Sequence, residues 1–145
     1  MQKKESFAKF LLVDDDHVSV LALKRALKKL NIRNEMLVAS DGEQALDILE
    51  TSVDTMTGDL PPFIIALDVN MPRMNGIEFI NAARARDRLE SLTIFMFSDS
   101  HIRLNRCGDV EADIAGRLTK DDLQNSLAFA LSRTNVPQGL LQRAA

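Results

Sequence analysis

The sequence predicts a doubly wound α/β domain, with a five-stranded parallel sheet covered by helices on both faces. Three observations predict it. Short apolar runs alternate with amphipathic stretches along the whole chain. The runs are continuously apolar rather than alternating, as expected of parallel strands buried on both faces. Most of them end in a polar residue that leads into the next helix or turn. Right-handed crossovers between such units wind the helices onto both sides of one sheet.

The elements follow in order. Phe10 to Val13 (FLLV) is the first strand, and it runs into Asp14, Asp15 and Asp16. Asp16 is placed to cap a helix whose apolar positions Val20, Leu23, Leu27 and Leu30 recur at helical spacing, with Lys24, Arg25, Lys28 and Lys29 between them. Glu35 to Ala39 is the second strand, and Asp41 caps a helix carrying Ala45, Leu46 and Leu49. Residues 51–62 show no periodicity and hold a Gly and two adjacent prolines, so they read as a surface loop. Phe63 to Leu67 is the third strand, ending at Asp68, and Asn75-Gly76 opens a helix with Ile77, Ile80 and Ala83 on one face. Leu92 to Phe97 is the fourth strand and ends at Ser98. A weak helix containing Gly108 spans His101 to Asp113, and Ala115 to Thr119 is a short fifth strand followed by Lys120. Asp121 is expected to cap the last helix, with Leu123, Leu127 and Leu131, which ends before Pro137.

Composition narrows the function classes. The 145 residues carry 18 basic and 21 acidic side chains, a formal net charge of -3 and a sequence pI of about 5.4. That balance argues against a nucleic-acid binder. With 46% hydrophobic and 27% charged residues, the chain reads as one ordinary globular domain. A single cysteine, Cys107, excludes an intrachain disulfide and a Cys-based zinc site. No apolar run approaches the ~18 residues of a membrane span, and the first ten residues lack a signal core, so a cytoplasmic location is expected.

In an open α/β sheet, ligands bind beyond the carboxyl ends of the strands. The residues leaving those ends are Asp14 and Asp15, Asp68, Ser98 and Lys120. Three converging carboxylates repel one another and call for a cation. Oxygen-only ligands favour a hard ion, and Mg²⁺ suits a site that retains several waters. A lysine and a hydroxyl at the same point complete a site for a transferred phosphoryl group, and a carboxylate is itself able to act as the nucleophile. One carboxylate after a strand is commonly a helix cap. Complementary polar residues after four of the five strands are not explained that way.

The sequence resembles a response-regulator receiver domain from about Phe10 to Arg133. The carrying motifs are LLVDDDH at 11–17, ALDVNMPRMNG at 66–76, FSDS at 97–100 and LTKDD at 118–122. The 30 residues from Asp68 to Ser98 and the 22 from Ser98 to Lys120 resemble the family's spacing. The 53 residues from Asp15 to Asp68 exceed it, and the 51–62 loop accounts for the excess. Such a loop resembles a subgroup of single-domain regulators that includes partners of phytochrome-type kinases. The resemblance implies a flavodoxin-like sheet of order 2-1-3-4-5 over residues 1–134, with 135–145 a short C-terminal tail and no output domain.

It also implies roles. Asp68 matches the phosphoacceptor for a histidine kinase or histidine phosphotransfer protein. Asp15, Asp68 and the Asn70 carbonyl match the Mg²⁺ ligands, and Asp14 matches the acidic residue that orients metal-bound water. Lys120 matches the lysine that pairs with the phosphoryl group, and Ser98 matches the hydroxyl that moves toward it. Asn70 and Ser100 match positions that tune loss of the phosphoryl group. Met71-Pro72 and Gly76 match backbone roles in the turn. The implied protein is a phosphoacceptor rather than an enzyme, signalling to a downstream protein by contact or onward transfer, without nucleic acid or membrane insertion.

Two positions depart from the pattern. Asp121 follows Lys120 where the family usually has Pro, so a trans bond is expected there. Arg117 stands where the family usually has Tyr or Phe, and the chain has no tyrosine. An Arg there is placed to pair with an acidic partner or with Glu111 or Asp113. These departures motivate an alternative, a phosphorylation-independent adaptor with the same fold. A haloacid-dehalogenase-like phosphohydrolase is disfavoured, because the second acid it needs two residues after the nucleophile is Asn70.

Other residues are read as structural. His17 and His101 lack a ligand pattern, Cys107 is an inert helix residue, and Met71, Met74 and Met96 belong to turns or core. The Lys24, Arg25, Lys28, Lys29 face is the solvated side of the first helix, with an acidic partner surface as the minor alternative. Leu140-Leu141 either extend a helix or dock on a partner.

Overall fold

The computed structural model describes residues 7–69, 71, 73–98, 113–133 and 135–143, apart from the side chains of Leu89 and Ser98. Five strands, β1 (Lys9–Val13), β2 (Met36–Ala39), β3 (Phe63–Asp68), β4 (Leu92–Ser98) and β5 (Gly116–Thr119), pair in parallel in the order β2-β1-β3-β4-β5. The helices are α1 (His17–Lys29), α2 (Gly42–Ser52), α3 (Gly76–Ala85) and α4 (Leu123–Ser132). The helix expected over 101–113 lies, Asp113 apart, outside the described residues, and so do His101 and Cys107.

Alternate side chains of the strands feed two cores. Phe10, Leu12, Ile64, Ala66, Phe95 and Phe97 face α1 and α4. Leu11, Val13, Phe63, Ile65, Leu67, Ile94 and Met96 face α2 and α3. This two-sided burial explains why the central runs are unbroken in sequence. In α3, Phe79 joins Ile80 and Ala83 as fully buried, while Ile77 is only partly covered.

The helix ends are set by local chemistry. The Asp16 carboxylate accepts from the Val18 N–H at 3.1 Å and the Asp41 carboxylate from the Gln44 N–H at 2.9 Å. Asn75 and Glu78 form a reciprocal capping box at the start of α3. At the end of α1, Asn31 takes a left-handed φ of 62°, and the Ile32 N–H reaches back to the Leu27 carbonyl at 3.0 Å.

Two expectations are corrected. Asp121 does not cap the last helix. β5 runs directly into a 3-10 turn, Lys120–Asp122, in which Asp121 is exposed; Asp122 occupies the cap position of α4 and makes no side-chain cap bond. Leu140 and Leu141 do not extend a helix either. A short 3-10 turn, Gln138–Leu140, redirects the chain so that Val136 and Leu141 enter the α1/α4 core. No described helix is long and apolar enough to cross a membrane.

Candidate functional site

The parallel sheet gathers the charged residues at one end. β1 and β3 lie side by side in register, Val13 opposite Leu67, so that Asp14 and Asp68 emerge together from adjacent central strands. Their side chains and that of Asp15 offer carboxylate oxygens that all lie within 4.8 Å of one another. Asp14 and Asp68 are nearly sealed, at 3% and 5% exposure, while Asp15 is exposed.

Lys120 reaches the same point from the far side. It opens the 3-10 turn after β5, and its Nζ lies 3.3 Å from Asp14 Oδ2 and 3.9 Å from Asp68 Oδ2. The same Nζ sits 5.0 Å from the centroid of the buried Phe97 ring, on β4 opposite Asp68. That cation–π contact holds the ammonium over the site's floor. Sequence reasoning did not single out Phe97, because nothing local to β4 signals that a lysine from another strand end lies above it. The Lys120–Asp121 bond is trans, since the described residues contain no cis peptide.

The electrostatics are incompletely settled within the chain. Asp14 Oδ1 accepts the Asp16 N–H at 2.9 Å. Asp14 Oδ2 is buried and has no hydrogen-bond partner, since Lys120 is within ion-pair range but outside hydrogen-bond geometry. Among the described residues three carboxylates meet one ammonium here, and an added hard cation fits this donor set. Nearby, hydrogen bonds from the Ser19 hydroxyl and the Val18 N–H hold the Asp16 carboxyl below its ordinary value of 3.8.

The loop after β3 is pinned close to Asp68. A Cβ on Gly76 would lie 2.7 Å from the Asp68 carbonyl oxygen, so only glycine lets α3 begin there. Met74 O accepts from the Gly42 N–H at 3.1 Å, and Arg73, at φ 66°, faces Glu43 at 4.0 Å. The strand order thus converges Asp14, Asp15, Asp68 and Lys120. Asn70 and Ser100 lie outside the described residues. Ser98 is the last residue of β4, and its hydroxyl position is likewise not described. Asp113 pairs with Arg84, and Arg117 is exposed on the edge strand β5. Glu111 lies outside the described residues.

Comparison with known proteins meets this geometry. A family model for the response regulator receiver domain matches residues 10–131. The transcriptional regulatory protein CpxR of Escherichia coli (strain K12) is 42% identical over 76 residues, 52% of this chain and 28% of CpxR. A chemotaxis protein CheY homolog of Campylobacter jejuni is 32% identical over 88 residues, 61% of this chain and 62% of the homolog. The chain therefore spans less than two thirds of the length of these curated relatives. The structure of the bacteriophytochrome response regulator RtBRR superposes with a TM-score of 0.72 at 25% identity, covering 96% of this chain and 81% of that one.

Proposed function

The chain belongs to the response-regulator receiver family, and from that premise we propose that it acts as a single-domain response regulator of a two-component or phosphorelay system. Asp68 is the proposed acceptor. One of its oxygens attacks the phosphorus of a phosphohistidine on a histidine kinase or phosphotransfer protein. The P–N bond breaks, its electron pair returns to the imidazole, and the nitrogen takes up a proton, leaving an aspartyl phosphate. The carrying observation is the placement of Lys120 Nζ against both Asp14 and Asp68 in a nearly sealed acidic site.

Each residue has a physical task in this reading. Lys120, steadied over Phe97, offsets the negative charge that the phosphoryl group adds. Asp14, Asp15 and Asp68 would hold Mg²⁺, with the Asn70 carbonyl as a further ligand. Such an ion supplies positive charge toward the phosphoryl oxygens. Ser98 offers a hydroxyl donor to the same group. Residues 1–134 are the proposed acceptor unit, with 135–145 a short C-terminal tail whose Val136 and Leu141 pack into the α1/α4 core. Output passes by contact with a downstream protein or by onward transfer, in the cytoplasm. The only catalysis assigned is self-catalysed transfer and autodephosphorylation.

The test is phosphotransfer from a panel of histidine kinases and phosphotransfer proteins, with Asp68→Asn as the control. Labelling is expected to fall by at least ~100-fold in Asp68→Asn. Mg²⁺ with beryllofluoride is expected to shift amide resonances around Asp14, Asp68 and Lys120. Absence of labelling by every donor, with no beryllofluoride response, overturns the reading. Partner affinity indifferent to both Asp68→Asn and phosphodonor assigns the adaptor role instead.

A further inference from the structure

We propose that a groove between the C-terminal half of α1 and the start of the edge strand β2 binds an extended acidic segment of a partner protein. The groove encloses about 610 Å³. Lys24 and Lys28, one helical turn apart, line it together with Arg33, just past the α1 turn. Met36 supplies partly exposed apolar surface beside the buried Ile32, and among the described residues no carboxylate lines the groove.

Several basic residues elsewhere are matched: Lys9 with Glu35, Arg73 with Glu43, Arg84 with Asp113, and both Arg86 and Arg88 with Glu50. Among the described residues, no carboxylate comes within ion-pair distance of Lys24, Lys28 or Arg33. Dipole compensation explains Lys28 and Lys29 in the last turn of α1. It does not explain Lys24, which lies further back, or Arg33, which lies beyond the helix. Like charges brought to one groove without counter-charge favour an anionic occupant.

The groove's form favours a peptide among anions. Among the described residues β2 is an outer strand that pairs with β1 alone, so its other edge presents backbone donors and acceptors, while the stretch just before it is already taken: Ile32 bridges Arg143 and the Arg33 N–H reaches the Gln142 carbonyl. An extended segment laid along β2 gains main-chain hydrogen bonds, while alternate acidic side chains meet the cations. The four residues of β2 offer an edge of about 13 Å, enough for a short motif. A nucleic-acid backbone is disfavoured by the net charge of -3 and the apolar surface at Met36.

The position separates this surface from the acidic site. α1 begins beside Asp14 and Asp15 and ends at the groove, about 20 Å away along its 13 residues. The partner is therefore held at the amino ends of the strands while the carboxyl ends stay open to a phosphodonor. The inference does not depend on the phosphoacceptor reading.

The experiment titrates the isotope-labelled full chain with a blocked hexapeptide alternating Glu and Val, against the same peptide with Gln for Glu. Amide shifts are expected to concentrate in residues 24–28 and 33–39, with the acidic peptide bound at least tenfold tighter. Lys24→Glu with Lys28→Glu is expected to weaken binding about tenfold, and Arg33→Gln several-fold. Lys29→Glu, on the same helix but outside the groove, is expected to change it less than twofold. Equal binding of the Gln peptide, or an equal loss in Lys29→Glu, overturns the proposal. So does tighter binding of a 12-nucleotide DNA strand, or concentration-dependent self-association abolished by the double variant. Melting curves confirm that each variant is folded, and labelling of Asp68 is read in parallel.

Discussion

At the carboxyl ends of the strands, Asp14 keeps one carboxylate oxygen buried without a hydrogen bond. At the amino ends Asn34, 4% exposed, has its whole amide engaged. Its nitrogen donates to the Ala8 carbonyl at 2.6 Å and to the Leu140 carbonyl at 2.8 Å, and its oxygen accepts the Gln142 N–H at 2.7 Å. Around it the Ala8 N–H also reaches the Leu140 carbonyl, and Arg33 reaches that of Gln142. Two similarly buried polar residues thus do opposite things. A fully hydrogen-bonded amide fastens the fold, whereas a carboxylate that is ion-paired but keeps one oxygen without a hydrogen bond has capacity left for a ligand.

The comparison breaks most visibly at Asn34. Asn34→Leu leaves the Ala8 carbonyl and the Gln142 N–H without this partner and the Leu140 carbonyl with only the Ala8 N–H, and the expected loss of stability is roughly 3 kcal/mol in urea unfolding. Phosphoryl acceptance per folded molecule is expected to stay at the wild-type level. A loss below about 1 kcal/mol shows that water replaces the amide, and the fastening role then fails.

This asymmetry also governs what sequence could reveal. The acidic site was legible because each of its residues is announced locally, by an apolar run ending in a carboxylate or a lysine. The parallel sheet then brings those ends together without further information. Asn34 carried no such signal, because its partners, Ala8, Leu140 and Gln142, lie 26 to 108 positions away. The misplaced cap at Asp121 has a related origin. Residues 120–122 satisfy a capping pattern, but the 3-10 turn that delivers Lys120 to the site takes up that stretch first. Phe97 read only as a strand residue, since its second task depends on a lysine arriving from β5.

A smaller effect sharpens the contrast from the other side. If the acidic end is built for a cation, Mg²⁺ at ten times its dissociation constant stabilises the fold by about 1.4 kcal/mol, as any ligand of the native state does. Asp14→Asn is expected to lose most of that increment, and Asn34→Leu to keep it. Urea midpoints with and without Mg²⁺ make the comparison. An equal Mg²⁺ increment in Asp14→Asn places the ion elsewhere.

The smallest effect is in pH, and its sign follows from Asp16. The Ser19 hydroxyl and then the Val18 N–H hold its folded carboxyl below 3.8, the ordinary value. A carboxyl depressed in the folded state contributes stability that is fully present above its unfolded value. That contribution drains away as pH falls below 3.8 and through the folded value. Asp16→Asn keeps an N-cap acceptor at α1 but removes the charge, so it isolates this term. Urea midpoints of the two proteins are expected to differ by a constant amount above about pH 5 and to converge below about pH 4. Asn34→Leu carries no titrating group, and its deficit relative to wild type is expected to stay level over the same range. A step near neutral pH, or none below about pH 4, would show that Asp16 is not the group being read.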